Sequence, residues 1–305
     1  MIAVSVENIN KKYANATALS NISLEAKRGE IFGIIGPDGA GKTTLFRILT
    51  TLLLPDNGKA TVDGYDIVAD YKQIRQKIGY MPGKFSLYQD LTVEENLEFF
   101  ATIFHTTIQD NYHLIKDIYQ QIEPFKKRRA GKLSGGMKQK LALCCALIHK
   151  PAVLFLDEPT TGVDPVSRKE FWEMLSKLKE QDISILVSTP YMDEASLCDR
   201  IAFIRNGQFL DIDTPQNIVK KFKDRLWAVE ADNMYKLLAD LRNNKQIKSS
   251  FSFGESHHIT VDVTLTIEEL KNYLSGKGHT NISIQLIEPS IEDCFMQITE
   301  KEENG

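Results

Sequence analysis

A glycine-rich segment ahead of an apolar run has the most specific chemistry in the sequence. Residues 36–43 read GPDGAGKT, follow the apolar segment IFGII and open the run TTLFRIL. In this setting the spacing G-x-x-x-x-G-K-[ST] predicts a phosphate-binding loop, because its backbone N–H groups and the following helix N-terminus favour anions. Lys42 then reaches the β- and γ-phosphates, and the Thr43 hydroxyl holds Mg²⁺. We expect ATP with Mg²⁺ on Gly36, Pro37, Asp38, Gly39, Ala40, Gly41, Lys42, Thr43 and Thr44.

Asp38 is an acidic residue inside this predicted phosphate-binding loop. Its carboxylate must point away from the phosphates or be offset by backbone dipoles, and the sequence leaves both options open.

An acidic pair ends the apolar segment AVLFLDEP, residues 152–159. Four apolar residues place Asp157 at the carboxyl end of a buried strand, where ligands bind in open α/β sheets. We expect Asp157 to hold Mg²⁺ directly or through water. The adjacent Glu158 is suited to orient or deprotonate an attacking water, and it is the predicted catalytic residue. Such a pair is often only a turn or a helix cap, but the phosphate loop upstream favours the catalytic interpretation.

The elements that position these residues are short apolar strands alternating with helical segments, a pattern that predicts an α/β fold with a parallel or mixed sheet. Pro165 after Asp164 fits a helix start. We predict strands at 3–6, 22–26, 31–35, 153–156, 183–188 and 201–204, and helices after Gly41 and at 93–104, 111–122, 136–148, 165–180 and 192–198.

The pattern breaks near residues 222–224 and then restarts. Strands at 226–229, near Phe251, at 258–263 and at 282–287 would alternate with helices at 234–243, 267–274 and from Ser290 onward. This βαββαβ order with a final helix is compatible with a small ferredoxin-like α+β unit. We therefore predict a nucleotide-binding domain at 1–222 and a C-terminal accessory domain at 223–305.

Charge and composition narrow the class of protein. The net charge of −4 and the pI near 5.9 disfavour a general polyanion binder, so we expect no nucleic acid partner. Apolar stretches such as LALCCALI fall far short of the roughly 20 residues that cross a bilayer, and the N-terminus lacks a signal pattern. The 4 cysteines form no C-x-x-C pair and are interpreted as packing residues. We expect a soluble chain in the cytoplasm.

Four segments together identify a family. The phosphate loop, LSGGMKQ at 133–139, LFLDEP at 154–159 and TGVD at 161–164 closely resemble the nucleotide-binding domains of ATP-binding-cassette (ABC) proteins, over about residues 1–222. The resemblance implies a P-loop NTPase fold, a mixed sheet with a helical subdomain. It also implies head-to-tail pairs in which Ser134, Gly135 and Gly136 contact ATP held by the partner and Asp164 lies in the loop that links the two sites. Tyr13 matches the aromatic residue that stacks on adenine, or is simply a packed tyrosine at a strand end.

Within this family, the chain looks like the ATP-binding subunits of drug-resistance exporters, whose permease is a separate membrane protein. DEPTTGVDP, YMDEA and the tail motif EPSIEDCF carry that likeness. It implies a peripheral location on the inner face of the cell membrane, with the C-terminal unit as an accessory domain. Two other hypotheses are a non-transport ABC ATPase and a catalytically quiet regulatory cassette. The first would need a second cassette or a coiled-coil insertion, and the sequence shows neither.

Two positions depart from the family pattern. Gly83, in YMPGKFSLYQDLTVEENL at 80–97, stands where the family usually has a glutamine that senses Mg²⁺ and the attacking water. Pro190, after ILVST, stands where the family usually has a histidine that bonds the γ-phosphate, and proline has no side-chain donor. We expect slow hydrolysis at this chain's own site and favour a heterodimer with one competent site. The alternative is that neighbouring side chains replace the missing groups.

Overall fold

The helices and strands of this protein arise from local sequence patterns together with pairing between distant segments. A computed structural model describes residues 1–83 and 87–304. Residues 84–86, within the segment that contains Gly83, lie outside this description. The chain divides into two compact units, Met1–Thr214 and Pro215–Gly305. The strands of the first unit are β1 (Ile2–Tyr13), β2 (Ala16–Lys27), β3 (Ile31–Ile35), β4 (Asn57–Val62), β5 (Tyr65–Asp66), β6 (Ile78–Met81), β7 (Val153–Asp157), β8 (Ser184–Thr189), β9 (Arg200–Arg205) and β10 (Gln208–Asp213). Its helices are α1 (Lys42–Leu49), α2 (Tyr71–Lys77), α3 (Val93–Ile103), α4 (Tyr112–Tyr119), α5 (Gly135–Leu147), α6 (Pro165–Lys179) and α7 (Met192–Ala195).

A six-stranded sheet in the order β10-β9-β3-β8-β7-β6 forms the centre of the first unit. Its strands β9, β3, β8, β7 and β6 are parallel, and β10 pairs antiparallel with β9. Every residue of β3, β7 and β8 is buried, as expected for a parallel sheet covered on both faces. A second, antiparallel sheet has the order β2-β1-β4-β5. The mixed α/β architecture predicted from the sequence is confirmed.

Helix α1 follows the phosphate loop and packs its apolar side on the central sheet. Leu45, Phe46, Ile48 and Leu49 are buried, and the Phe46 ring meets Phe155 of β7 edge-on at a centroid distance of 5.7 Å. This packing fixes the start of α1 against the end of β7. The two predicted halves of the site, the loop and the acidic pair, therefore lie on elements in direct contact.

The second unit contains α8 (Pro215–Lys221), β11 (Arg225–Glu230), α9 (Met234–Arg242), β12 (Ile247–Phe253), β13 (Ser256–Val261), α10 (Ile267–Gly276), β14 (Ser283–Leu286) and α11 (Ile291–Asn304). From β11 onward the order is the predicted βαββαβ followed by a helix. Its antiparallel sheet runs β12-β13-β11-β14 around a core that includes Trp227, Val229, Leu237 and Leu270. Helix α8 contacts α11, with the Cys294 thiol 3.8 Å from the Ile218 carbonyl. In the structure, α8 thus groups with the second unit, eight residues ahead of the boundary expected after residue 222.

Among the described residues, no helix combines the length and the apolar character that a membrane span requires.

His149, between α5 and β7, is a largely buried histidine of the first unit. Its ring stacks on Phe104 with centroids 3.7 Å apart, and its Nε2 lies 2.9 Å from the Ile78 carbonyl. Burial lowers the pKa of His149 from 6.5 to about 4, against the opposing effect of the Ile78 carbonyl. The folded protein therefore resists a proton that the unfolded chain accepts.

As the pH falls from 7 to 5, the unfolded chain takes up a proton on His149 that the folded protein does not. We therefore expect the free energy of unfolding to fall by about 2 kcal/mol from this histidine over that range. Chemical denaturation of wild type and His149→Gln at both pH values measures the difference. His113→Gln, an exposed histidine of α4, is the matched control and should keep the wild-type slope. An unchanged slope in His149→Gln would contradict the assignment.

Candidate functional site

The phosphate loop lies at the carboxyl end of β3, where close backbone contacts require glycine. The Gly36 amide donates to the Thr189 carbonyl at 3.3 Å, which attaches the loop to the end of β8. A Cβ on Gly36 would lie 2.1 Å from the Ile204 carbonyl, and one on Gly41 would lie 2.5 Å from the Ala18 carbonyl. Gly41 caps α1 with φ of 108°, a backbone conformation that other residues rarely adopt. The loop is thus fixed in shape, with the α1 N-terminus opening from it.

Lys42 is buried inside the loop rather than extended into solvent. Its Nζ donates to the carbonyls of Gly36 at 2.8 Å and Pro37 at 3.0 Å, and lies 3.2 Å from the Glu158 carboxylate. The Asp38 carboxylate is 4.0 Å away, but its side chain is 89% exposed. A buried ammonium among these acceptors is a ready partner for a phosphate. The Lys42–Glu158 pair joins the phosphate loop to the acidic pair at the end of β7.

The acidic pair is held by Ser188 of the neighbouring strand. The Asp157 side chain is 2% exposed, and its Oδ1 accepts the Ser188 hydroxyl at 2.6 Å. The Glu158 amide donates to the Ser188 carbonyl at 3.0 Å and to its hydroxyl at 3.1 Å. Glu158 has φ of 51°, an uncommon conformation for a non-glycine residue that persists where surrounding contacts enforce it. Ser188 therefore fixes both the buried Asp157 and the backbone that presents Glu158.

A cleft of about 330 Å³ lies between α1 and the end of β7. It is lined by Thr43, Arg47, Tyr80, Pro82, Gly83, Asp157, Glu158 and Thr161. Burial, followed by the charge of Asp157, raises the pKa of Tyr80 to about 12, so the phenol stays protonated at neutral pH. The predicted site residues Thr43, Asp157 and Glu158 thus line one cleft, beside Lys42.

The oxygen atoms that line this cleft fit Mg²⁺. The Thr43 hydroxyl and the Asp157 carboxylate are hard donors of the kind this cation prefers, and Mg²⁺ keeps most of its shell as water and phosphate oxygen. Within the described part of the chain, no group of three or more His, Cys, Asp or Glu side chains could hold a metal on its own. The donor set therefore suits a cation that arrives with a nucleotide rather than a resident metal.

Gly83 lines the same cleft, close to the acidic pair. A Cβ at this position would lie 3.0 Å from the Asp157 carbonyl and 3.9 Å from the Glu158 Cβ. A side chain at position 83 would therefore be aimed at the cleft, but the loop must shift by a few tenths of an ångström to accept it.

The remaining predicted residues form a separate group. Ser134 caps α5 by accepting from the Met137 amide at 3.3 Å, and Asp164 caps α6 by accepting from the Ser167 amide at 3.0 Å. This Ser167 amide bond lowers the pKa of Asp164. Gly135 is exposed, whereas Gly136 is buried so closely that a Cβ would lie 2.6 Å from the Ser167 hydroxyl. The predicted signature and linking residues thus meet at the starts of α5 and α6.

This group and the phosphate loop lie on different elements, at the starts of α5 and α6 and of α1. In residues 1–83 and 87–304, no hydrogen bond or ion pair joins Ser134, Gly135 or Gly136 to the loop. Tyr13 ends β1 with its side chain 42% exposed. The ring is therefore open to a flat ligand rather than packed in the core.

Three supporting residues had no assigned role in the sequence analysis: Ser188, Thr189 and Glu194. Ser188 and Thr189 end the apolar segment ILVST, and Glu194 lies in YMDEA, which only marked the family likeness. Two hydroxyl residues ending a buried strand beside the phosphate loop were the available signal. Their partners could not be assigned without knowing that β8 lies between β3 and β7.

The parallel sheet, the glycine-rich loop before α1 and the acidic end of β7 define a P-loop nucleotide-binding domain. The sequence profile described as ABC transporter matches residues 19–161. A daunorubicin resistance ATP-binding protein of Streptomyces coeruleorubidus is 34% identical over 307 residues, covering 97% of this chain and 95% of the relative. A linearmycin resistance ATP-binding protein of Bacillus subtilis is 31% identical, covering 97% of this chain and 98% of the relative. The chain belongs to the ABC transporter family and contains its ATP-binding domain.

Other similar proteins extend this picture. A protein of Escherichia coli named "Probable multidrug ABC transporter ATP-binding protein" is 35% identical over 97% of this chain, which spans only 52% of that relative's length. Among solved structures, the ATP-binding subunit of an ABC transporter aligns with a TM-score of 0.66 at 26% identity, covering 72% of this chain and 93% of that one. The dimeric structure of a bacterial ABC transporter cassette aligns at 0.63 and 26% identity, covering 69% and 98%. The predicted family and fold are confirmed.

Proposed function

We propose that this chain is the ATP-binding and ATP-hydrolysing subunit of an exporter and drives a separate membrane permease. The observation that carries the proposal is the cleft where Lys42 and Glu158 meet beside Thr43 and Asp157. The names of two relatives concern drug resistance and that of a third a multidrug transporter, which supports export as the coupled process. Binding to the permease would place the chain on the inner face of the cell membrane.

The residues of the cleft have distinct roles in this proposal. The loop amides and Lys42 hold the β- and γ-phosphates, and Tyr13 stacks on adenine. Thr43 and Asp157 would hold Mg²⁺, which neutralises phosphate charge when bound. Glu158 accepts a proton from the attacking water. Because Lys42 and Glu158 lie 3.2 Å apart, a γ-phosphate that attracts Lys42 leaves the Glu158 carboxylate free to face that water.

The group at the starts of α5 and α6 supports pairing with a second cassette. Ser134 and Gly135 are exposed at a helix N-terminus, a suitable place for an anion. They have no hydrogen bond or ion pair to this chain's own phosphate loop within the described ranges. The proposal is that Ser134, Gly135 and Gly136 contact ATP on the partner and that Asp164 links the two sites. The similarity to a dimeric cassette supports this arrangement.

A heterodimer with one slow and one competent site is the favoured assembly. Both departures from the family pattern affect this chain's own cleft. Gly83 lines it without a side chain, and Pro190 follows Thr189, whose carbonyl binds the phosphate loop. Loss of one preorganised donor costs about 10²–10³ in rate. The α5 and α6 group is complete, so the chain can still serve a competent site on its partner.

The test compares the chain alone with the assembly recovered from native membranes by affinity purification. We expect one permease and a second, different cassette to be recovered. ATP turnover by the chain alone should be about 10²-fold slower than turnover by the assembly. Fast turnover by the chain alone that Glu158→Gln abolishes would contradict the heterodimer. Recovery of ribosomes or DNA would contradict the transport function.

Gly83 and Pro190 also favour a second candidate, a catalytically quiet regulatory cassette. It predicts that the chain binds ATP without cleaving it, even beside the partner cassette. Cleavage by the assembly that falls when this chain has Glu158→Gln would exclude it.

A further inference from the structure

Glu194 in α7 is a buried carboxylate with three side-chain partners from separate segments. Its Oε1 accepts the Thr160 hydroxyl at 2.7 Å and the Arg168 Nε at 3.2 Å. Its Oε2 accepts the Thr189 hydroxyl at 2.6 Å. The residue is 1% exposed, and both threonines are buried as well. Burying a carboxylate away from water costs free energy unless hydrogen-bond donors satisfy it. The contacts to Glu194 therefore hold their three segments together.

Two of these segments reach the cleft. Thr160 lies two residues after Glu158, the proposed base. Thr189 ends β8, and its carbonyl accepts the Gly36 amide of the phosphate loop at 3.3 Å. A single carboxylate thus ties the segment that carries Glu158 to the strand end that supports the phosphate loop.

The third segment leads to the proposed dimer contact. Arg168 lies in the first turns of α6, the helix that Asp164 caps, and its amide donates to the Asp164 carbonyl at 2.9 Å. Its guanidinium also bonds Asp193 at 2.8 Å and lies over the Tyr191 ring at 4.4 Å. The charge of Glu194 is therefore balanced by a cation that is itself held in place.

We propose that Glu194 is a positioning residue for ATP hydrolysis. It fixes Glu158 relative to the phosphate loop through Thr160 and Thr189, and it connects this arrangement to the start of α6 through Arg168. The proposal rests on the hydrolytic function proposed above. Position matters because a displacement of about 1 Å from the productive geometry can cost about 10² in rate.

The test uses single-turnover cleavage of radiolabelled ATP with Mg²⁺ and the full-length chain in excess. Glu194→Gln keeps the volume but loses the charge facing Arg168 and presents an N–H group to one of its partners. We expect the cleavage rate to fall at least about tenfold, with ATP affinity changed less than about twofold. Thr160→Val and Thr189→Val, which keep Glu194, should each lower the rate. Adding Thr189→Val to Glu194→Gln should lower the cleavage rate little further, because both changes affect the same contact between Thr189 and Glu194.

Glu173→Gln is the matched control, because this carboxylate of α6 is exposed and, within residues 1–83 and 87–304, makes no hydrogen bond or ion pair to Thr160, Thr189 or Glu194. A wild-type cleavage rate in Glu194→Gln overturns the inference and leaves the proposed function intact. If Glu194→Gln fails to fold, wild-type rates in both threonine variants overturn it instead. Absence of cleavage by the wild-type chain, even with the partner cassette present, contradicts the proposed hydrolytic function and this inference with it.

Discussion

A chain in which histidine replaces Pro190 is expected to cleave ATP about 10²-fold faster than the wild-type chain. Position 190 directly follows Thr189, whose carbonyl accepts the Gly36 amide at 3.3 Å, so it adjoins the strand end that holds the phosphate loop. An imidazole N–H can donate to charge that develops on the γ-phosphate, whereas proline has no side-chain donor. Proline also restricts the backbone to a φ that histidine adopts freely, so the exchange requires no change of chain path.

Three comparisons separate the donor from other effects of the exchange. Pro190→Ala removes the ring without adding a donor and should leave the single-turnover rate unchanged. Pro190→His combined with Glu158→Gln should lose the gain, because the base is absent. Gly83→Gln should raise the cleavage rate less than Pro190→His. Its Cβ would lie only 3.0 Å from the Asp157 carbonyl oxygen, so the backbone must shift to accept it. If Pro190→His is no faster than Pro190→Ala, other side chains already supply the missing donor.

The central strands were predictable because burial on both faces makes most of their residues apolar. Strand β3, with the sequence IFGII, could be located without any tertiary information. Strands β4 and β10 were not predicted from the sequence. In β4, NGKATV, only Ala60 and Val62 are buried, and β10 is an edge strand with no fully buried residue. Strands of this kind are defined by their pairing partners rather than by their own composition.

The chemistry of the site was predictable where one segment contains all of it. The phosphate loop needs only residues 36–43, so spacing alone could indicate it. Ser188 acts on Asp157 across 31 residues of sequence, and Glu194 acts on Thr160 across 34. Those contacts exist because β7 and β8 are neighbours in the sheet, which no local pattern encodes. The domain limit near residues 214–222 depends in the same way on the contact between α8 and α11.

Replacing Lys42 with methionine is expected to weaken ATP binding by at least about 10²-fold, because a hydrogen bond to a charged group contributes about 1.5–3 kcal/mol and Lys42 can make more than one to phosphate. Methionine approximates the length of the side chain while removing its charge. Among the described residues, the partners of the buried ammonium are Gly36, Pro37, Asp38 and Glu158, and none of them is a lysine or arginine that could replace it. Equilibrium titration with a fluorescent ATP analogue and Mg²⁺ measures the loss.

Asp38→Asn is the matched control for this loop, because the Asp38 side chain is 89% exposed and reaches Lys42 only at 4.0 Å. It should bind ATP at least as tightly as the wild-type chain, since removal of a negative charge near the phosphates cannot weaken their attraction to the loop. Weaker ATP binding in Asp38→Asn would contradict this expectation and mean that the Asp38 carboxylate stabilises the shape of the loop. If Lys42→Met keeps wild-type ATP affinity but loses cleavage, the lysine stabilises the transition state without contributing to ATP binding. In that case the loop amides and the α1 N-terminus alone would account for ATP binding.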